Sequence, residues 1–351
     1  MRSPRSRSIV PVRPASLLAI GVAAFLVTAA AIRSLLPWPA EGSLDARWRH
    51  FRANAGTYDV VFVGSSNIAR TIDPTAFDAE LARLGHPVRS YNLAADNMQP
   101  TEADFVLREV VAQRASRVRW AVIELLEFAP RGMTATNPFT DRAIYWHDGR
   151  GLLGALRRVA ASSETISAKL QLGWLHVRHA AWRVSNFGRA EASIVARRRG
   201  PDPLDDAVAA AGGFEALDDR LDPSAERVRR RFLASVPAYL AELPQIDVRN
   251  RVPALAPADV AARVRAQAAW LRASGIEPLY VIPPLPGASA ELYAVAREPG
   301  APAVIALNSP ARFPDLYEPE HRYDATHVNR AGAARASVRL AEQLAPLLDR
   351  N

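Results

Sequence analysis

Hydrophobic and polar positions along the chain fall into three regimes. From Ala15 to Ile32 no position carries a charge, and only Ser16, Gly21 and Thr28 interrupt the apolar run. As a helix rising about 1.5 Å per residue this stretch spans roughly 27 Å, just enough to cross the hydrocarbon core of a bilayer. From Tyr58 onward short apolar runs, Val60 to Val63, Val88 to Leu93 and Val118 to Leu126, alternate with amphipathic stretches. Strands buried on both faces show continuous apolar runs, so this pattern predicts a parallel sheet covered by helices on both sides. Between the first two runs Asp73 reads as an N-cap with Pro74 at the first helical position. Phe77, Leu81 and Leu84 follow as a stripe, and Gly85 closes the helix. Thr101 and Asp104 read as a capping box opening a helix that carries Val106, Val110 and Val111. The alternation returns near Ala258 with a helix bearing Val260, Val264 and Leu271, stopped by Gly275. A strand Leu279 to Ile282, a helical stretch near Leu292, an apolar run Val304 to Leu307 and a last helix from about Arg330 to Leu344 follow. This order predicts an α/β fold, a three-layer α/β/α domain with a mainly parallel sheet, assembled from residues 50–129 and 258–351.

Between Pro130 and Pro257 helical periodicity replaces the alternation: Ile166, Leu170, Trp174 and Val177, then Val228, Phe232, Val236 and Leu240. Residues 130–257 therefore read as a helical insertion, with Arg189 to Asp206 as a mobile connector. Composition narrows the chemistry. The 351 residues are 49% hydrophobic, which excludes a disordered chain, and the absence of cysteine excludes thiol nucleophiles, disulfides and cysteine-ligated metals. The formal charge is +8, but Arg2, Arg5, Arg7, Arg13 and Arg33 all precede the first acid, Glu41, and carry more than half of it. No nucleic-acid partner is expected from the remainder. Four of those arginines lie ahead of the apolar run. That asymmetry predicts a cytoplasmic tail over 1–14, a transmembrane helix or signal anchor over 15–36 and export of the rest. Ala29, Ala30 and Ala31 leave a cleaved signal peptide as the alternative, and both deliver the body to the same side of the membrane.

Two segments carry candidate chemistry. Val60-Val61-Phe62-Val63-Gly64-Ser65-Ser66-Asn67 is a buried strand running into a glycine and two serines. Parallel sheets place ligands at such strand exits, and a serine there has backbone N–H groups around it, although Ser-Ser is also ordinary turn chemistry. Near the other end stands Tyr323-Asp324-Ala325-Thr326-His327-Val328-Asn329-Arg330-Ala331-Gly332. Asp324 could hold one nitrogen of His327 while the other faces a serine hydroxyl, and Asn329 is placed to N-cap the last helix; a satisfied loop network is the alternative.

Together the two segments resemble the SGNH/GDSL hydrolase superfamily, in particular its membrane-anchored branch acting on extracytoplasmic polysaccharides. In that family a strand ends in Gly-Asp-Ser and a C-terminal Asp-x-x-His completes the triad. Here Gly64-Ser65-Ser66 occupies the first motif, with Ser65 in place of the aspartate, and Asp324-Ala325-Thr326-His327 matches the second. The resemblance implies Ser66 as nucleophile, His327 as base and Asp324 as its orienting partner. Oxyanion-hole candidates are the Ser66 N–H, Asn97, which falls about where the family has a glycine, and Asn67. The family's third-block asparagine has no counterpart in Val122-Ile123-Glu124-Leu125-Leu126-Glu127, and no asparagine follows until Asn137.

The resemblance implies an O-acyl esterase or acyltransferase, acetyl being the expected group, acting on a cell-envelope glycan from a single-pass protein of the bacterial inner membrane, without cofactor or metal. Its expected partners are that glycan or another acylated substrate, the membrane and polysaccharide-modification proteins. The alternative is a catalytically silent SGNH-like module that binds glycan or scaffolds an export complex. Three further features admit two readings each. His321, Asp324 and His327 with Glu318 and Glu320 have metal-ligand types, but they lie on one loop with no second cluster to complete a shell; Trp146 and His147 could stack on a sugar or simply pack; and Arg227, Arg229, Arg230 and Arg231 read as the solvated face of a helix, with contact to anionic lipid or acidic polysaccharide as the alternative.

Overall fold

The computed structural model describes residues 14–35, 42–113, 115–126, 144–186, 194, 198, 203–219, 223–251, 258–286 and 290–349. Five strands, β1 Val60–Val63, β2 Ser90–Asn92, β3 Trp120–Glu124, β4 Glu277–Ile282 and β5 Val304–Ala306, form one sheet ordered β2-β1-β3-β4-β5. Every neighbouring pair is parallel, with Val60 opposite both Ser90 and Trp120, and Trp120 opposite Glu277. The fold is α/β, as the run pattern predicts.

Alternation along each strand sorts side chains into two cores. Val61, Val63, Tyr91, Ile123 and Tyr280 face one helical layer, whereas Val60, Phe62, Val122, Leu279 and Val281 face the other. The first layer contains α2 Gly42–Ala53, through Leu44, Trp48 and Phe51. It also contains α5 Pro100–Ala112, with Val106, Leu107 and Val110, and the segment Ala258–Ala273, with Val260, Val264 and Leu271. The second is built from α4 Pro74–Arg83 and the C-terminal helix Arg330–Leu348, whose Ala336, Leu340 and Leu344 meet Phe77 and Leu81 in one core.

The local signals mostly act where they stand. Asp73 caps α4 by accepting the Thr75 N–H at 2.9 Å, with Pro74 at the first turn, and Gly85 takes φ +92° just past its end. The Thr101/Asp104 capping box does not form. α5 begins at Pro100 after Gln99, which makes no side-chain cap, and Asp104 pairs instead with Arg158 at 3.0 Å. Proline at the first helical position sets the entry, which leaves Asp104 available to hold the helix that follows.

Among the described residues 144–251 there is no strand. α6 Gly149–Ala161 and α7 Ile166–Ser185 pack on each other, and α8 Pro203–Ala210 packs on α2. α9 Pro223–Ala234 and α10 Val236–Arg251 do not stand apart from the sheet, since Phe232, Tyr239 and Ile246 belong to the second core. Residues just beyond α8 close the β2 edge, where the Asn92 N–H donates to the Gly212 carbonyl at 2.8 Å. The stretch 130–257 is therefore helical where described, and its second half completes the sheet's helical covering. The 1–13 tail, residues 127–143 with Asn137, and most of the Arg189–Asp206 connector lie outside the described residues. At the N-terminus α1 Pro14–Leu35 is long and apolar enough to cross a membrane; its Pro14–Ile32 stretch has a mean hydropathy of 2.3 and is almost wholly exposed.

Gly213 sits at φ +84°, and a Cβ there would lie 2.1 Å from the Asn92 carbonyl oxygen. Gly213→Ala combines left-handed strain with a backbone clash, so it is expected to lower stability by about 1–3 kcal/mol. Denaturant titration against the parent chain measures the loss.

Candidate functional site

The order β2-β1-β3 reverses direction of travel at the β1/β3 boundary, which opens a crevice beyond the carboxyl ends of those two strands. Both candidate segments arrive there. β1 ends at Val63, Ser65 N-caps a one-turn helix α3 Ser66–Ala69 through its hydroxyl and the Asn67 N–H (3.2 Å), and Ser66 occupies the first helical position. From the opposite end of the chain, the loop before the C-terminal helix brings His327 Nε2 to 3.2 Å from the Ser66 hydroxyl. Asp324 lies on the other side of the ring, its two oxygens 2.9 and 3.2 Å from His327 Nδ1. The three side chains thus form one hydrogen-bonded relay.

Asp324 is fixed from several directions. Its Oδ1 accepts the Thr326 and His327 backbone N–H groups, each at 2.7 Å, and the Thr326 hydroxyl at 2.8 Å. Burial works against its charge, but the hydrogen bonds and charge of His327 and the bonds from Thr326 outweigh it and hold the carboxyl well below the usual carboxylate range. An ionised Asp324 keeps the Nδ1–H tautomer, which leaves Nε2 free to accept from the Ser66 hydroxyl. Behind the relay, Asn329 caps the final helix by accepting the Gly332 N–H at 2.9 Å. Gly332 is required at that step because a Cβ there would stand 2.1 Å from the His321 carbonyl oxygen.

Arg322 holds this loop from beneath. Its guanidinium is fully buried and donates to four backbone carbonyls: Pro284 (3.0 Å), Ala325 (2.8 Å), Asp324 (3.3 Å) and Leu316 (3.4 Å). It therefore ties the Asp-x-x-His loop to the exit of β4. Of the arginines expected on a solvated helix face, Arg227, Arg230 and Arg231 are exposed, but Arg229 turns inward. It donates to the carbonyls of Arg322 and Tyr323, the latter at 2.9 Å. Sequence periodicity does not separate these four neighbours, because only the docking of α9 against the loop selects one of them.

Glu124 is a further part of the site that residue patterns alone leave unassigned. It ends β3, is buried, and receives the Ser65 N–H on Oε2, the Ser65 hydroxyl on Oε1 at 3.1 Å and the Asn67 amide at 3.3 Å. Burial pushes its carboxyl above the ordinary range, against those hydrogen bonds and the charge of His327. Gly64 makes the approach possible, because a Cβ on it would lie 2.6 Å from Glu124 Oε2 and 2.7 Å from its Cβ. The signal available in the sequence is the lone acid closing an otherwise apolar strand.

The oxyanion candidates separate. Asn67 is committed, its N–H to Ser65 and its amide to Glu124. Asn97 takes φ +54°, the left-handed conformation that glycine or asparagine adopts most readily, so it can stand where the family has glycine without changing the chain's path. Its loop is laced to β1 by the Ala95 N–H donating to the Gly64 carbonyl at 3.0 Å, and Arg70 at the end of α3 grips Asp96 at 2.6 and 2.7 Å. The Ser66 N–H lies in the first turn of α3, where backbone donors lack intrahelical acceptors.

The remaining candidates lie elsewhere. Trp146 and His147 are buried, stacked on each other with ring centroids 3.8 Å apart, and His147 lies 2.8 Å from His176, so they pack the insertion. His321 points Nδ1 at the Asp315 carbonyl (2.8 Å) and Glu318 (3.0 Å), and among the described residues no three acid or histidine side chains form a metal-ligand set. A cavity of about 590 Å³ opens beside Trp120 and Glu277, the first residues of their strands, at the far edge of the sheet from the relay.

Two substitutions probe these supports. Glu124→Gln replaces one acceptor oxygen with an NH2 group, so either the Ser65 N–H or the Asn67 amide is left facing a donor, and it is expected to cost about 1–3 kcal/mol of stability and to slow any reaction at Ser66 by roughly ten- to a hundredfold through misplacement. Denaturant titration and rates of active-serine labelling read the two effects. Arg322→Met strips a donor from several buried carbonyls and is expected to cost roughly 3 kcal/mol. A midpoint unchanged from the parent would refute the clamp.

No protein-family model matches the chain. Over 124 residues it is 38% identical to a histidinol dehydrogenase from Pyrobaculum aerophilum, a similarity covering 34% of this chain and 31% of that protein. The chain thus spans less than a third of that relative, an extent that assigns no family.

Proposed function

We propose that this chain is an SGNH-like serine esterase or acyltransferase, tethered to the membrane by α1, that removes or transfers an O-acyl group on a cell-envelope glycan, with acetyl as the expected group. The observation that supports it most is the relay Ser66–His327–Asp324, closed at hydrogen-bond distances by residues 261 positions apart. Ser66 Oγ attacks the ester carbonyl carbon while His327 Nε2 takes the hydroxyl proton, and the tetrahedral oxyanion meets the N–H groups of Ser66 and Asn97. Collapse breaks the ester C–O bond, and His327 returns its proton to the departing glycan oxygen. Water then releases the acyl group from Ser66 in an esterase; an acceptor hydroxyl does so in a transferase. Asp324 orients His327 and stabilises its charged form throughout.

The arginines ahead of α1 support a cytoplasmic N-terminus and, with it, a relay on the outer face of a bacterial inner membrane, on the side of the cell-envelope glycans. A silent glycan-binding or scaffolding module is the second reading. It is favoured by Glu124 standing at the third-strand exit, where the family carries an asparagine donor.

The test is labelling by a fluorophosphonate probe together with release of acetate from an acetylated ester. Ser66→Ala and His327→Ala are each expected to abolish both, Ser65→Ala to reduce them less, and Asp324→Asn to weaken them by several orders of magnitude through the wrong imidazole tautomer. A folded parent chain that neither labels nor turns over favours the silent module.

A further inference from the structure

We infer that α7 is a second membrane-contacting element, lying with its exposed apolar stripe in the interfacial region of an anionic lipid surface beside α1. At 100° per residue Ile166, Leu170, Trp174, Val177, Ala181 and Val184 all fall within an arc of about 80° along the whole helix. The first half of this arc is the most open, with Ile166, Leu170 and Trp174 79%, 71% and 67% exposed. The opposite face is the buried one, with Leu172, His176 and His179 turned into the insertion. An exposed stripe about 30 Å long is far more than the scattered apolar residues of an ordinary surface.

Two observations select lipid as the occupant. The first is continuity with the membrane helix: the Asn186 side chain, at the left-handed C-cap of α7, donates to the Ala29 carbonyl at 2.8 Å. Ala29 is buried while Leu26, Val27 and Ile32 around it are exposed, so α7 docks on α1 near the end that would leave the bilayer. The second is charge: α7 carries Lys169, Arg178 and Arg183 and no acid. Lys169 and Arg178 flank the stripe, whereas Arg183 turns to the Tyr145 carbonyl on the buried side; an apolar face holding Trp and Leu with basic and no acidic charges at its edges is the composition of helices that lie in the plane of an anionic interface. The inference rests on α1 spanning the membrane. Its consequence for the proposed reaction is that α7 holds the exported domain, and with it the crevice of Ser66, at a fixed height over the lipid.

The absence of cysteine makes the test direct. Single-cysteine variants Leu170→Cys, Trp174→Cys, Val177→Cys and Gln171→Cys of the full chain are labelled with an environment-sensitive fluorophore and reconstituted into phosphatidylglycerol–phosphatidylethanolamine vesicles, with Val22→Cys in α1 as reference. The expected result is quenching of positions 170, 174 and 177 by shallow spin-labelled lipid. Their iodide quenching should be several-fold weaker than that of position 171, and all three should loosen in phosphatidylcholine vesicles. Iodide access to 170 and 174 equal to that of 171, with Val22 quenched by lipid, overturns the inference while leaving the anchor intact. Protection that persists in detergent, together with disulfide-linked dimers of Leu170→Cys, overturns it in favour of a second copy of the chain. Failure of lipid to quench Val22 removes the anchor and the inference together; the fluorophosphonate assay, done in detergent, is untouched by either.

Discussion

A buried carboxylate pressed against a glycine is the constraint around which the carboxyl edge of this sheet is arranged. Glu124 ends the central strand β3 out of contact with water, and a buried charge is costly unless its lone pairs are satisfied. The donors come from the neighbouring strand exit, namely the Ser65 N–H, the Ser65 hydroxyl and the Asn67 amide. Gly64 is there because any side chain would occupy the carboxylate's place. That single set of contacts fixes where β1 ends, why a serine caps α3 and in which direction Ser66 leaves the turn. Where the Gly-Asp-Ser motif that Gly64-Ser65-Ser66 resembles has an aspartate within the turn itself, the acid beside this turn comes from the adjacent strand.

Buried arginines do the corresponding work for the loops. Arg47 from α2 donates to the Ala94 carbonyl and pairs with Glu215 at 2.9 Å, Arg70 grips Asp96, and Arg322 collects the carbonyls around Asp324. Each guanidinium offers five donors in a rigid plane, so one side chain can satisfy several carbonyls that a loop would otherwise leave buried and unpaired. Loops that carry reacting groups need such fixing because they lack a ladder of their own. The helical stretch in the middle of the chain joins this scheme through Glu215 and Arg229, and so contributes to the site without contributing a strand.

The apolar helix α1 and the site geometry meet in that same stretch. α6 is tied to α5 by Arg108 with Asp148 (2.7 Å) and Asp104 with Arg158 (3.0 Å), and α7 packs on α6. A continuous path of packed elements therefore runs from the end of α1 through α7 and α6 to the first helical layer of the sheet. A tether of that kind limits how the crevice can turn relative to α1.

The sequence by itself determined the layer architecture, because continuous apolar runs can be buried only between two helical layers, and it marked Ser66, Asp324 and His327, because their motifs are short and contiguous. It also set the caps at Asp73 and Asn329, which act over two or three residues. Tertiary structure decided what depends on distant segments meeting. It paired Glu124 with Ser65, withdrew Asn67 from the oxyanion candidates by giving its amide to Glu124, turned Arg229 inward among exposed arginines, and moved α9 and α10 from an appended body into the second core. The physical reason is the range of each interaction. Periodicity and capping are written in neighbouring residues, whereas a buried charge finds its partners only after strands remote in sequence have been laid side by side.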